Sequence, residues 1–222
     1  MSRDSILGAI RRGLKRGALP ADQKAMLAGR LAAHPRQIVP ARGMLPLEER
    51  VTLFAQFIER EFGTVARLGR LDEVPGAIAA YLAEQNLPPA LAVSLHPLLQ
   101  SIPFEHAAQL RLRFGTTLPS DEVCLTQAFA GIAETGTLLM PSGPTRPTSN
   151  NLLPDNAIVL IEAVRIFGCY EEAFDLLRAQ GAMPRNVMLI TGPSRSADIE
   201  QTLELGAHGP RRLHVLIVDG AA

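Results

Sequence analysis

The sequence predicts an α/β domain, a mainly parallel sheet with flanking helices, preceded by a basic helical arm. Three observations carry that prediction. From Leu47 onward, short apolar β-prone runs alternate with amphipathic stretches, the order expected of parallel strands joined by crossover helices. The run Leu213 to Val218 is too apolar to have a wet face, as in a strand buried on both sides. Val187 to Asp219, VMLITGPSRSADIEQTLELGAHGPRRLHVLIVD, reads as strand, turn, helix, turn, strand, a βαβ unit.

Arg3 to Leu14 sets Ile6, Leu7, Ile10 and Leu14 on one helical face, edged by Arg11, Arg12, Lys15 and Arg16. Asp22 to Ala33 is a second helix, ended by His34-Pro35, and Gln37 to Pro46 is an extended linker. Residues 1–46 are thus arm and linker, and 47–222 the globular domain. Leu47 to Phe62 carries Val51, Phe54, Phe57 and Ile58 on one stripe, so it is the first core helix. Thr64 to Leu68 follows as a strand and Val74 to Ala83 as a helix, with Pro75 tolerated in its first turn. Pro89 to Ser94 is a second strand, and Leu110 to Phe114, with Arg111 and Arg113 alternating, a third or an edge. Val123 to Thr126 reads as a strand, Gln127 to Ile132 as a short helix, and Gly136 to Met140 as a returning strand. Ala157 to Ile161 is another buried strand, and Tyr170 to Gln180 a helix ended by Gly181. In the closing unit, Ser194 or Ser196 caps a helix with Asp198 and Glu200 in its first turns and Ile199, Leu203 and Leu205 on its buried face.

At 222 residues and 47% hydrophobic, the chain can bury one good core. Its formal net charge is zero, but Met1 to Arg42 holds nine Lys or Arg against Asp4 and Asp22, so the arm is +7 and the remainder −7. The basic arm suits an anionic partner or docking on its own domain or on a second copy, leaving homo-oligomerisation open. Nucleic acid is disfavoured because no recognition fold or interleaved aromatics accompany the charge. With no apolar run long enough for a transmembrane segment and no secretory signal core at its start, the chain reads as cytoplasmic. Cys124 and Cys169 stand 45 residues apart without a CxxC, and the five histidines lack HxH, HxxxH or HExxH spacing. We expect two buried thiols, no disulfide, no metal site and no intrinsic cofactor.

Four stretches have the composition of sites. Ala133-Glu134-Thr135-Gly136-Thr137 places a carboxylate between apolar segments, beside a glycine that lets a ligand approach the backbone. That combination suits general acid–base or nucleophilic work, and equally a turn in which Glu134 accepts neighbouring N–H groups and Thr135 and Thr137 tie the chain. Ser142 to Asn151 is rich in hydroxyls and amides and reads as a binding loop or lid, whose Arg146 can clamp a carboxylate or phosphate or simply be solvated. Gly192, Ser194 and Ser196 offer N–H groups and hydroxyls to a small anion at a helix start. Without a P-loop lysine or a GxGxxG, nucleotide hydrolysis and dinucleotide chemistry are disfavoured. His208 reads as a capping or packing residue at the opposite end of the sheet from Gly192, and His214 as core or interface.

The segments GIAETGTLLM (Gly131 to Met140), TGPSRSADIE (Thr191 to Glu200) and LGAHGPRRLHVLIVD (Leu205 to Asp219) resemble, in order, the LUD domain, the family of LutC and YkgG-type lactate utilisation proteins. The likeness runs from about Glu48 to the C-terminus. It implies the superfold shared by CoA transferases and ribose-5-phosphate isomerase, which does not by itself fix a reaction. It further implies a component of an L-lactate to pyruvate oxidation system that acts with iron–sulfur partner subunits, this chain binding substrate, regulating or scaffolding. The alternative is a free-standing transferase- or isomerase-type enzyme acting on a small anionic acyl or sugar-phosphate substrate. There Glu134 would be base or nucleophile, Thr135, Gly136, Thr137, Arg146, Gly192, Ser194 and Ser196 binding substrate. CoA transferases carry their nucleophilic Glu one residue before Asn-Gly. Glu134-Thr135-Gly136 lacks that Asn, which argues against thioester chemistry.

Overall fold

The structure, a computed structural model, describes residues 2–15, 17–36, 38–197 and 203–220. The chain forms two compact units, Met1–Ile38 and Val39–Ala222. In the first, helices α1 (Arg3–Gly13) and α2 (Ala21–Ala33) bury none of their residues. Ser2 caps α1 by accepting the Ser5 N–H, while Asp4 and the pair Arg11, Arg12 sit at the ends that the helix dipole favours.

The second unit begins with α3 (Leu47–Arg60), which starts after Pro46 with Glu48 and Glu49 in its first turn and buries Val51, Phe54 and Ile58. Its end is closed by Phe62 at φ 68° and by the Gly63 N–H, which donates to the Ile58 carbonyl at 2.9 Å. In order there follow β1 (Thr64–Arg70), α4 (Val74–Glu84), β2 (Ala90–Val93), α5 (Pro97–Gln100), β3 (Arg111–Phe114), β4 (Val123–Gln127), β5 (Ala130–Ile132) and β6 (Thr137–Pro141). The chain continues through β7 (Asn156–Glu162), β8 (Ile166–Phe167), α6 (Tyr170–Ala179), β9 (Val187–Ile190), β10 (Arg195–Ala197), β11 (Leu203–Leu205) and β12 (Arg212–Gly220).

Six of these strands form one sheet in the order β1-β12-β7-β4-β2-β3, every neighbouring pair parallel. Both faces are covered, as a parallel sheet requires. Ile158, Leu160, Leu216 and Val218 pack with Ile78 and Leu82 of α4 on one face. Val159, Ile161, Val215 and Ile217 alternate to the other, where they meet Val51, Phe54 and Ile58 of α3 and Leu138 and Met140 of β6. A second sheet, β8-β5-β6-β9, lies beyond that face, and its outer side buries Phe129, Ile132 and Leu139 under Ala173 and Leu177 of α6.

The α/β class with a large parallel sheet is therefore as expected, and three local readings are corrected. Gln127 to Ile132 is not a helix. Gln127 ends β4, and Ala130–Ile132 is a strand paired with β6 and β8, since sheet pairing outweighs the weak helical preference of so short a run. Nor is 187–219 a βαβ unit, because β9 pairs antiparallel with β6 in the small sheet while β12 lies between β1 and β7 in the large one. In place of the expected helix, β10 and β11 form an antiparallel ladder, Arg195 opposite Leu205 and Ser196 opposite Glu204. Leu205 is 43% exposed rather than buried. Asp198, Ile199 and Glu200 lie outside the described residues. What holds the ladder's base is Ser194, whose hydroxyl accepts the His208 N–H and whose carbonyl accepts that of Gly206. His208 is thus beside the Gly192–Ser194 segment, not at the opposite end of the sheet.

His214 is a core residue, 6% exposed, with its ring stacked on Tyr81 at 4.1 Å and its Nδ1 2.7 Å from Thr64 Oγ1. Desolvation lowers its pKa from 6.5 to about 4. Between those values the unfolded chain binds the proton that the folded one rejects, so stability falls as pH drops through that window. We expect a loss of about 2–3 kcal/mol between pH 6.5 and 4. Denaturant unfolding at a series of pH values measures it, and His214→Gln should make the profile shallower by that amount, leaving the contribution of any other histidine with a lowered pKa. A profile already flat in the parent protein would contradict the assignment.

Candidate functional site

In an open parallel sheet, ligands bind beyond the carboxyl ends of the strands where successive connections leave in opposite directions. Here that point lies between β2 and β4, since β2 connects outward to the edge strand β3, whereas β4 connects toward β7 on the other side. Both strands lead into polar residues. After β2 come Ser94 and His96, and β4 ends on Gln127.

Arg146 reaches into this crevice from the loop after β6. Its Nη2 and Nε donate to Gln127 Oε1 at 2.9 and 3.3 Å, Nη2 also donates to His96 Nε2 at 2.9 Å, and its guanidinium lies 5.9 Å from the Phe129 ring centroid. A guanidinium only donates, so His96 Nε2 must accept and the proton of a neutral imidazole rests on Nδ1. That Nδ1 is buried and has no hydrogen-bond partner. Burial, reinforced by Arg146, lowers the His96 pKa to about 4, which keeps the ring neutral.

The loop itself is anchored. Gly143 and Arg146 exchange backbone hydrogen bonds. Asn150, 1% exposed, accepts from the N–H and hydroxyl of Thr117 and donates to Ser94 Oγ and the Gly115 carbonyl, all within 3.0 Å. One amide thereby ties the loop to the ends of β2 and β3. Electrostatically the crevice lacks an anion. Arg146 has no carboxylate partner among the described residues, and burial and then Arg165 both lower its pKa, so its charge is poorly compensated. A bound carboxylate or phosphate would pair with the guanidinium.

Glu134 lies in a different place. It is 5% exposed, and its Oε1 accepts the Tyr170 N–H at 3.3 Å, occupying one of the orphan donors at the start of α6. Thr135 and Thr137 hydroxyls are 2.7 Å apart, both contact the Tyr170 hydroxyl at 3.1 and 3.0 Å, and Thr137 reaches Thr191 at 2.7 Å. These hydroxyls satisfy one another. Gly136 (φ +64°) and Gly192 (φ +80°) meet the same element, the end of α3. A Cβ on Gly136 would sit 2.6 Å from Phe57 Cβ, and one on Gly192 2.6 Å from the Glu61 carbonyl. Ser196 lies in β10. The structure thus joins Thr135 and Thr137 through Tyr170 and Thr191 through Thr137, sets Glu134 under that helix start, and places Arg146 among His96, Gln127 and Phe129.

Ser94, His96, Gln127 and Asn150 were not singled out by sequence reasoning. The signal available was positional, polar residues directly after the apolar runs Ala90 to Val93 and Val123 to Thr126.

The profile of the LUD domain matches residues 76–218. Among curated proteins, Lactate utilization protein C of Deinococcus radiodurans is 29% identical over 206 residues, covering 88% of this chain and 91% of that protein. An uncharacterized protein of Neisseria meningitidis is 40% identical over 92 residues, 41% of this chain and 40% of its own length. Lactate utilization protein C of Bacillus subtilis is 37% identical over 93 residues, 40% of this chain and 39% of that protein. The matched stretch therefore spans under half of these last two relatives. A crystal structure of a DUF162 family protein from Deinococcus radiodurans superposes with a TM-score of 0.56 at 23% identity, covering 78% of this chain and 99% of that one, a likeness of fold.

Proposed function

The chain belongs to the LUD domain family, and from that premise we propose that it is a cytoplasmic component of an L-lactate utilisation system, binding a small carboxylate at His96, Gln127 and Arg146. The names of its relatives support the system. One observation carries the site: at the switch point stands a guanidinium with no carboxylate partner among the described residues, held by Gln127 and by the half-buried, neutral imidazole of His96. Lactate and pyruvate each bring the missing charge on two oxygens. Electron transfer in this reading belongs to iron–sulfur partner subunits, because Cys124 and Cys169 are both buried and far apart in sequence and no group of His, Cys, Asp or Glu among the described residues is arranged to hold a metal. No described helix is long and apolar enough to cross a membrane.

Thermal unfolding against L-lactate, pyruvate, CoA and sugar phosphates tests the reading. At about 100 times its dissociation constant, a ligand adds about 2.7 kcal/mol, roughly 5 to 10 °C here. Arg146→Ala should weaken binding by about 10- to 100-fold, the loss of charged hydrogen bonds. If no carboxylate shifts the transition, or if Arg146→Ala leaves the shift intact, the site is wrong. Turnover by the isolated chain that is abolished by Glu134→Gln would favour a free-standing transferase or isomerase instead.

A further inference from the structure

At the other end of the large sheet, the amino ends of β1 and β12 open into a cleft of ≈ 430 Å³ between α4 and the end of α3. Its volume lies in the range of small-molecule sites. Thr64, Tyr81 and His214 line it together with two carboxylates, Glu59 and Glu84. Among the described residues neither carboxylate has a cationic partner, and no Lys or Arg lines the cleft. Arg212, whose charge reaches Tyr81, is turned to Asn156 Oδ1 at 3.1 Å.

His214 makes this more than a pair of surface acids. The ring is nine-tenths buried, its face is covered by Tyr81, and Nδ1 is held at 2.7 Å by Thr64 Oγ1. Nε2 has no partner among the described residues, although the residue lines the cleft. In the tautomer that donates Nδ1–H to Thr64, Nε2 presents an acceptor lone pair to the cleft. An oriented acceptor inside, acids at the walls and no cation form a local field that concentrates positive charge.

We propose that this cleft is a binding site for a small organic cation bearing primary ammonium groups, with His214 Nε2 and Glu84 as its acceptors and Glu59 adding charge. The site is separate from the carboxylate crevice and stands whether or not that crevice binds lactate.

The test is titration of the full-length protein with putrescine, followed by calorimetry and by the ¹⁵N resonances of the His214 ring, with butanediol and succinate as neutral and anionic controls. The expected result is saturable putrescine binding that shifts Nε2, with no binding of either control. Glu84→Gln should weaken it roughly tenfold, the loss of one charged hydrogen bond. Ala80→Leu, a change at an exposed α4 position lining the cleft, should do so by filling space. Thermal unfolding verifies that both variants fold. The proposal is overturned if His214 does not respond, if butanediol or succinate binds equally, or if both folded variants bind putrescine like the parent.

Discussion

Gly136→Ala is expected to destabilise the domain by about 4 kcal/mol, through two additive causes. An L-residue held at a left-handed φ costs about 1–2 kcal/mol, and the φ here is +64°. The new methyl would stand 2.6 Å from Phe57 Cβ and 2.9 Å from the Ile58 N, a helix backbone that cannot turn aside as a flexible side chain would. Overpacking of that kind typically costs about 1–3 kcal/mol. Gly181→Ala separates the causes. Gly181 also has a positive φ, +100°, but nothing lies within 4 Å of its added Cβ, so the loss there should be only about 1 kcal/mol. Denaturant unfolding of the two variants decides the matter. Equal losses would mean that α3 does not press on the turn, and the reading of Gly136 as a packing glycine would fall.

Asn150→Ala should cost about 3–5 kcal/mol, because it strands several buried groups at once. The Thr117 N–H loses its acceptor, and the Gly115 carbonyl and Ser94 hydroxyl lose their donor. In a domain of this size that is a fall of roughly 8 to 15 °C in the unfolding midpoint. Asn150→Asp should not recover the loss at neutral pH, since its buried carboxylate still accepts both Thr117 bonds but faces the Gly115 carbonyl with no proton to donate and no cation to pair with. The functional link is positional. Asn150 holds the loop that delivers Arg146, so carboxylate binding at the crevice should weaken in Asn150→Asp even where the protein remains folded. A folded Asn150→Ala variant within 1 kcal/mol of the parent would show that water replaces the amide without strain.

The two candidate regions differ in how much of them could be read in advance. Glu134, Thr135 and Thr137 stand within four residues, so their proximity was legible. Their partners were not. Tyr170 supplies the N–H that Glu134 accepts and the hydroxyl that the threonines share, and it lies 36 residues from Glu134. Arg146 stood out as the cation of a polar loop, but His96 is 50 residues away and Gln127 is 19. The adjacency of β2 and β4 brings His96 and Gln127 together, and the loop after β6 delivers Arg146 to them.

By itself the sequence determined the apolar strands, the stripe of α3, the helix α6, the two-sided burial of β12 and the family, because each is written in local periodicity or contiguous motifs. Tertiary structure decided which sheet each strand joins. The apolar run of β9 fits a parallel or an antiparallel neighbour equally, and pairing with β6 rather than β12 sets 187–219 apart from the unit its order suggested. It also decided that Gly136 and Gly192 serve the close approach of α3, and that a neutral histidine, a glutamine and an uncompensated arginine share one crevice. Local pattern reports how much of a segment is buried. Which partners bury it follows from contacts between distant parts of the chain, on which no window of sequence bears.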